Sequence, residues 1–126
     1  MIGKEKTENY LKVIYKLQSS GSRVKGVNVA SELNVSRPTV CVALKELRKK
    51  GYIRPFDDGS FMLTRKGVAE AQDVENRFNF FKDMLTFLNV DKDIAEEDAC
   101  RMEHTVSEDS YRALQQFFSA KMAQGV

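Results

Sequence analysis

Residues 34–51 read NVSRPTVCVALKELRKKG, and this stretch decides the fold. Ser36 is a preferred N-cap residue, and a proline in the first turn of the following helix costs no hydrogen bond. Apolar side chains then recur at helical spacing, and Gly51 suits the position just after the helix end. The apolar positions are Val40, Ala43, Leu44 and Leu47. The stretch therefore predicts a short turn followed by a helix with one inward face.

The flanking segments complete an order of elements that defines a known motif. A helix is predicted before the turn, in residues 24–33, and another near the N-terminus, where Thr7 would cap it. The predicted inward face of the helix at 24–33 consists of Val27, Ala30 and Leu33. Two runs of strand formers, 52–54 and 61–63, enclose a tight-turn sequence at 57–59, which predicts a β-hairpin. Two helices, a short turn, a third helix and a hairpin form a winged helix-turn-helix.

The rest of the chain predicts three further helices. Their limits, from cap to end, are Thr64 to about Leu88, Asp91 or Asp93 to about His104, and Ser107 to about Ala123. The predicted fold class is therefore mainly α. It consists of an N-terminal winged helix-turn-helix with a short β-hairpin wing in residues 1–66, followed by a helical domain in residues 67–126.

The two halves of the chain carry opposite charge. Residues 1–66 contain fourteen Lys and Arg against six Asp and Glu, whereas residues 67–126 contain six against twelve. Net charges of +8 and −6 thus underlie the overall value of +2. Because cations that neutralise phosphates release condensed counterions, the first half suits a nucleic acid partner.

Composition and cysteine content limit the cellular setting. The 126 residues are 42% hydrophobic and 30% charged, which is typical of a globular domain and excludes a disordered or low-complexity chain. No apolar run is long enough for a membrane span, and the N-terminus lacks a signal-peptide pattern. Cys41 and Cys100 are too few for a disulfide framework. We expect a cytoplasmic protein that binds neither membrane nor RNA.

The outward face of the helix after Ser36 supplies the candidate DNA contacts. Arg37 is placed to donate two hydrogen bonds to guanine, and Cys41 and Val42 to touch thymine methyl groups. The hydroxyl and cationic side chains would mainly bind phosphates. The complete candidate set is Lys25, Asn28, Ser36, Arg37, Pro38, Thr39, Cys41, Val42, Lys45, Arg48, Lys49 and Arg54. The alternative, a three-helix core with a merely solvated basic face, leaves the outward Val42 unexplained.

Four motifs resemble the metal-dependent repressors typified by the diphtheria toxin repressor and the manganese transport regulator. Residues 8–15 (ENYLKVIY) look like the opening helix of that family, 36–40 (SRPTV) like the start of its recognition helix and 63–67 (LTRKG) like its strand-to-helix junction. Residues 97–107 (EDACRMEHTVS) are similar to its metal-binding helix and are the most specific match. The resemblance implies a homodimeric repressor on a pseudo-palindromic DNA operator, with the helices after the hairpin forming the dimerisation domain.

A candidate metal site lies in the last of these motifs. Cys100, Glu103 and His104 share one helical face, and thiolate, carboxylate and imidazole suit a divalent transition metal. The resemblance implies Fe²⁺ or Mn²⁺, while the donors also suit Zn²⁺, Co²⁺ or Ni²⁺. Asn9, and Glu96 where the family has a histidine, are weaker candidate ligands. The competing interpretation is an inert cysteine near a surface Glu-His pair, with no metal.

Other positions where the family has ligands carry different residues here. In the opening helix, Asn9 stands in place of Met or Asp, and Lys12 in place of Glu. In the long helix, Phe78 stands in place of His, and Lys82 in place of Glu. Because an ammonium can supply the positive charge of a metal, one hypothesis pairs Lys12 or Lys82 with acids such as Glu103 or Glu96. The metal site is then incomplete, and the regulator independent of metal.

Two other functions stay open, and one is excluded. Oxidation of Cys41 on the DNA-facing helix would change charge or bulk there, as in a thiol sensor. A dimerisation partner that modulates a metal-sensing relative would tolerate the changed ligands. An enzyme is not expected, because the chain has no glycine-rich phosphate loop and only one histidine.

Overall fold

The structure, a computed structural model, describes residues 2–21 and 23–124. In that part of the chain the elements follow in the order α1 (Lys4–Ser19), β1 (Val24–Lys25), α2 (Gly26–Leu33), α3 (Arg37–Lys49), β2 (Ile53–Pro55), β3 (Ser60–Leu63), α4 (Arg65–Phe87), α5 (Lys92–Thr105) and α6 (Glu108–Ala123). The mainly α class with an N-terminal winged helix-turn-helix is confirmed. Two units, Met1–Asp73 and Val74–Val126, divide the chain within α4.

The core of the first unit joins α1, α3 and one face of the sheet. Leu11 of α1, Leu47 of α3 and Phe61 of β3 are almost fully buried in one cluster. Burial of each such side chain contributes about 1.5–3 kcal/mol of hydrophobic free energy. Since α3 is held to this core by its inward side chains, its opposite face is left to solvent.

Three details of the first unit differ from the predictions. Thr7 lies inside α1 and does not cap it; its hydroxyl donates a hydrogen bond to the Gly3 carbonyl oxygen at 2.9 Å. The helix predicted from residue 24 begins two residues later, because β1 occupies that place and pairs with β3. Val27 is 48% exposed, and Val29 takes the buried position instead. Ala30 is buried and Leu33 is half-buried against the core as predicted, so the buried face of α2 differs from the predicted one only at Val27 and Val29.

The hairpin predicted after α3 is confirmed, and it belongs to a three-stranded sheet. The strands lie antiparallel in the order β1-β3-β2, with Val24 opposite Phe61 and Ile53 opposite Leu63. Gly59 has φ +85°, the left-handed conformation that the turn between β2 and β3 requires. The β2–β3 hairpin is the wing.

The start of α4 needs a glycine for a close backbone approach. The Thr64 hydroxyl accepts a hydrogen bond from the Gly67 amide at 3.1 Å, which confirms Thr64 as the capping residue. The Thr64 amide in turn donates to the Tyr52 carbonyl oxygen at 2.9 Å. A Cβ added to Gly67 would collide with that same carbonyl oxygen. Gly67 therefore allows α4 to begin directly against the chain that leaves α3.

Aromatic side chains form the core of the second unit. The rings of Phe80, Phe81 and Tyr111 lie with their centroids 5.5 to 5.6 Å apart. Asp91 and Ser107 cap α5 and α6 as predicted, each accepting a hydrogen bond from a first-turn amide. No helix in the described residues combines the length and the apolar character needed to cross a bilayer.

Candidate nucleic-acid interface and metal centre

The N-terminal turn of α3 is closed by two hydroxyl groups. Ser36 Oγ accepts a hydrogen bond from the Thr39 amide at 3.3 Å, and the two hydroxyl oxygens lie 2.7 Å apart. Pro38 occupies the first turn, where a missing N–H leaves no intrahelical bond unmade. This cap places the exposed Arg37 at the helix end that reaches base edges in helix-turn-helix proteins.

The candidate DNA contacts of α3 lie together on its exposed face. Val40, Ala43 and Leu47 are each at most 1% exposed and define the opposite face. Every predicted contact of this segment is exposed, namely Ser36, Arg37, Pro38, Thr39, Cys41, Val42, Lys45, Arg48 and Lys49. The last four also line one surface hollow of about 390 Å³, together with Glu46. Val42, the apolar side chain of this hollow, thus lies beside the three cations.

Three further candidates lie outside α3, and all are exposed. Lys25 and Asn28 stand at the start of α2, where Asn28 Oδ1 accepts a hydrogen bond from the Lys25 amide at 2.9 Å. The side-chain oxygen of Asn28 therefore stabilises the N-terminal turn of α2. Arg54 lies on β2, with its guanidinium carbon 5.6 Å from the ring centroid of Phe56.

The predicted metal donors of α5 differ in burial. Cys100 is exposed, whereas Glu103 is 1% and His104 8% exposed. Glu96 is half-buried on α5, and Asn9 is half-buried on α1 in the first unit. Within residues 2–21 and 23–124, no three His, Cys, Asp or Glu side chains form a group that could hold a metal ion. Metal binding by Cys100, Glu103 and His104, with Asn9 and Glu96 as weaker ligands, stays a prediction.

The two replaced positions on α4 contact each other. Lys82 Nζ lies 5.7 Å from the ring centroid of Phe78, one helical turn away. A phenyl ring has no donor atom for a metal, and a protonated ammonium has no lone pair. Lys12 is half-buried on α1. Pairing of Lys12 or Lys82 with acidic residues of α5 stays a prediction.

One functional group that the sequence analysis missed is the buried Arg77 of α4. Its side chain is 7% exposed and donates from Nε to the Glu103 carbonyl oxygen at 3.1 Å. Its terminal nitrogens donate to the Val106 carbonyl oxygen and, at 3.1 Å, to the Glu108 carboxylate. The guanidinium also lies over the Tyr111 ring, 4.7 Å from its centroid. Arg77 thereby joins the end of α5 to the start of α6.

Two family models match successive parts of the chain. The model described as the N-terminal DNA-binding domain of iron-dependent repressors matches residues 4–55. The model described as the metal-binding and dimerisation domain of the same repressors matches residues 64–120. The family consists of transcriptional repressors and not of enzymes. This confirms the prediction that the chain is not an enzyme.

Individual relatives agree with the family models. The transcriptional regulator MntR of Escherichia coli is 33% identical over 114 residues, which are 90% of this chain and 74% of that protein. The iron-dependent repressor IdeR of Mycobacterium tuberculosis is 32% identical over 109 residues, 86% of this chain and 47% of IdeR. The solved structure of the manganese regulator SloR superposes with a TM-score of 0.76 at 28% identity, covering 90% of this chain and 53% of SloR. The chain thus spans about half the length of IdeR and SloR. It belongs to the iron-dependent repressor family, whose members bind DNA and dimerise.

Proposed function

We propose that this protein is a sequence-specific transcriptional repressor that binds a pseudo-palindromic DNA operator as a homodimer. The exposed face of α3 carries the proposal, because it combines cations and hydroxyls with Val42, which is 56% exposed. That mixture matches the B-DNA major groove, which presents acceptors, donors and thymine methyl groups. The deep, narrow major groove of A-form RNA does not admit a helix, so the partner is duplex DNA.

Each group on this face has a defined role in the proposal. Arg37 projects from the capped end of α3, and its guanidinium matches guanine O6 and N7 with two parallel hydrogen bonds. Cys41 and Val42 contact thymine methyl groups in the same groove. The phosphate contacts come from Ser36, Thr39, Lys45, Arg48 and Lys49, and the outer footprint from Lys25, Asn28 and Arg54.

The proposed division of labour follows the chain. Residues 1–66 form the DNA-binding domain and residues 67–126 the dimerisation domain, a division supported by the family models that match residues 4–55 and 64–120. A twofold axis presents two α3 helices to one face of the duplex, so the half-sites lie about 10–10.5 base pairs apart, or a multiple of that. The proposal includes a cytoplasmic location, because the relatives named above are bacterial and a bacterial chromosome lies in the cytoplasm.

Selection of duplexes from a random-sequence library on the purified chain tests this function. The selected sequences should form an inverted repeat, and light scattering should give the mass of two chains without DNA. A pool with no consensus, or with a consensus that lacks twofold symmetry, contradicts the proposal. DNA binding that appears only after a metal-sensing relative is added would assign the chain to the role of a dimerisation partner instead.

The geometry of α5 favours a second candidate, a repressor of this family that acts without a metal. Its predicted donors face different surroundings, since Cys100 is exposed and Glu103 is buried. Lys82 is engaged with the Phe78 ring at a position where the resemblance implies a carboxylate. In this candidate, charged side chains of the protein take the place of the metal ion and stabilise the conformation that binds DNA.

A thermal melt of chelator-treated protein decides whether this repressor binds a metal or acts without one. The protein is titrated with Mn²⁺, Fe²⁺, Co²⁺, Ni²⁺ and Zn²⁺, because a ligand at about 100 times its Kd adds roughly 2.7 kcal/mol of stability. A saturable rise in Tm that is lost in His104→Ala but kept in Glu97→Ala, an exposed acid of the same helix, establishes metal binding. An unchanged Tm with all five metals supports the metal-independent repressor.

A further inference from the structure

The outer face of the wing sheet carries a cluster that the DNA-binding set includes only in part, through Arg54. Ile53 and Leu63 face the core, so Arg54 and Met62, which stand opposite each other in register, face outward. The wing face is defined here as Arg23, Arg54, Phe56 and Met62. Met62 is 37% exposed.

Two guanidinium groups share one aromatic ring on the wing face. The guanidinium carbon of Arg23 lies 4.1 Å from the ring centroid of Phe56, and that of Arg54 lies 5.6 Å from it. A ring stacked against a guanidinium restrains the long side chain and leaves its planar edge of N–H donors directed sideways. Such an edge matches the paired oxygens of a phosphate.

A shallow hollow adjoins the cluster and has the chemistry of a nucleotide backbone site. Its volume is about 250 Å³, and Arg23, Phe56 and Met62 line it together with Gln18 and Gly21. Gln18 is anchored there, because its side-chain oxygen accepts a hydrogen bond from the Leu63 amide at 2.8 Å. An apolar floor beside a guanidinium suits a deoxyribose and its phosphate.

One of the two guanidinium groups already forms an ion pair with a carboxylate. Asp58 Oδ2 lies 3.7 Å from an Arg23 terminal nitrogen. Asp58 Oδ1 accepts hydrogen bonds from the Ser60 hydroxyl and, at 3.0 Å, from the Ser60 amide. These bonds from Ser60, with the nearby charge of Arg23, hold the pKa of Asp58 below its ordinary value. The carboxylate is therefore ionised at neutral pH and competes with any phosphate for Arg23.

We propose that the wing face binds a DNA backbone phosphate through Arg23 and Arg54, and that Asp58 weakens this contact by holding Arg23 in the unbound protein. The inference rests on the proposed DNA-binding function and adds Arg23, with its partner Asp58, to the outer footprint that already includes Arg54. On binding, a phosphate takes the place of Asp58 at the Arg23 guanidinium. Since phosphates are the same on every sequence, Asp58 lowers affinity for non-operator DNA as much as for the operator.

The experiment measures Kd for a random-sequence duplex across a range of NaCl concentrations by fluorescence anisotropy. Asp58→Asn should tighten binding about two- to fivefold, the range of an exposed ion pair, because Arg23 no longer has to leave a carboxylate. Arg23→Gln should weaken binding and reduce the slope of the salt dependence by up to about 0.9, the value for one phosphate contact. In Arg23→Gln with Asp58→Asn the gain from the second change should disappear. Asn keeps an oxygen for Ser60, and Tm values verify that each variant is folded.

Asp57→Asn is the matched control, because it removes the same charge from the same turn and Asp57 makes no ion pair with Arg23 in the described chain. Equal effects of Asp57→Asn and Asp58→Asn would overturn the specific role of Asp58. Wild-type affinity in Arg23→Gln would overturn the wing contact while leaving α3 as the DNA-binding element. Failure of the wild-type chain to bind any duplex would instead contradict the proposed function itself.

Discussion

The exposed cations of α3 and the wing, in the first unit, contrast with the buried Arg77 of the second unit. In the first unit, the cations of α3 and the wing are exposed, and residues 1–66 have a net charge of +8. In the second unit, the guanidinium of Arg77 is buried against two carbonyl oxygens and one carboxylate. That cation lies in a half with a net charge of −6.

The difference follows from solvation. A buried cation has to be matched by acceptors within the protein, because an unpaired buried charge costs several kcal/mol. Its hydrogen bonds are therefore made within the fold, and it does not reach a partner. An exposed cation contributes little to folding but can neutralise a phosphate. Substitution of Arg77 should consequently change the unfolding free energy, and substitution of the exposed cations of α3 and the wing should change DNA affinity.

The largest effect is expected for Arg77→Met. The change removes a buried cation and leaves the carbonyl oxygens of Glu103 and Val106 without their donor, which should lower the unfolding free energy by about 3 kcal/mol. Arg112→Met is the matched control, because Arg112 binds the same Glu108 carboxylate at 3.1 Å but is 70% exposed. Its expected cost is below about 1 kcal/mol. Urea denaturation compares the two, and equal losses would contradict the distinction between buried and exposed arginine.

In the first unit, Arg37→Ala should change base preference and leave the fold intact. Loss of a bidentate guanine contact costs about 1–3 kcal/mol of discrimination against the wrong base. Competition binding with single-base variants of the selected operator measures that discrimination. Stability should stay within about 0.5 kcal/mol of wild type, since the side chain is exposed. A uniform loss of affinity on all bases would reassign Arg37 to the phosphate backbone.

Lys49→Ala should have a smaller effect that does not depend on sequence. One lost phosphate contact reduces the slope of log K against log salt by about 0.9 and weakens operator and random duplexes alike. Arg101→Ala, an exposed cation of α5, provides a control outside the proposed interface. A loss confined to the operator would show that Lys49 reads bases.

The smallest effect concerns Asp58 and acid stability. Hydrogen bonds from Ser60 lower the pKa of Asp58 in the folded chain below the ordinary value of 3.8. The folded state therefore gains stability above that value and loses it as pH falls through the lowered pKa. Asp58→Asn should slightly flatten the decline of Tm in this acid range, because it removes the group that is protonated there. Asp57→Asn should keep the same decline as wild type, because Asp58 is still present. Identical acid profiles for all three proteins would contradict the assignment.

Local signals explain which parts of the fold were predictable. Ser36 caps α3 and Gly51 follows it with φ +80°, both as the residue types indicate. β1 was not predicted, because a strand of two residues exists only through its pairing with β3, far along the chain. Arg77 left a trace in the sequence, as a cation on the same helical face as the apolar Val74 and Phe81. Its acceptors lie at least 26 residues away, so the pattern alone does not identify them.

The candidate site likewise combines features that depend on nearby residues with features that depend on distant contacts. In the sequence itself, the resemblance of four motifs indicated the family. Capping, turn formation and helical period determined the helical elements and the outward face of α3, because these signals depend on residues close in the chain. Tertiary structure alone decided that Cys100 is exposed where Glu103 is buried, that Arg77 joins α5 to α6 and that Phe56 holds two arginines. Those outcomes depend on which distant surfaces exclude water, and neither spacing nor composition specifies that.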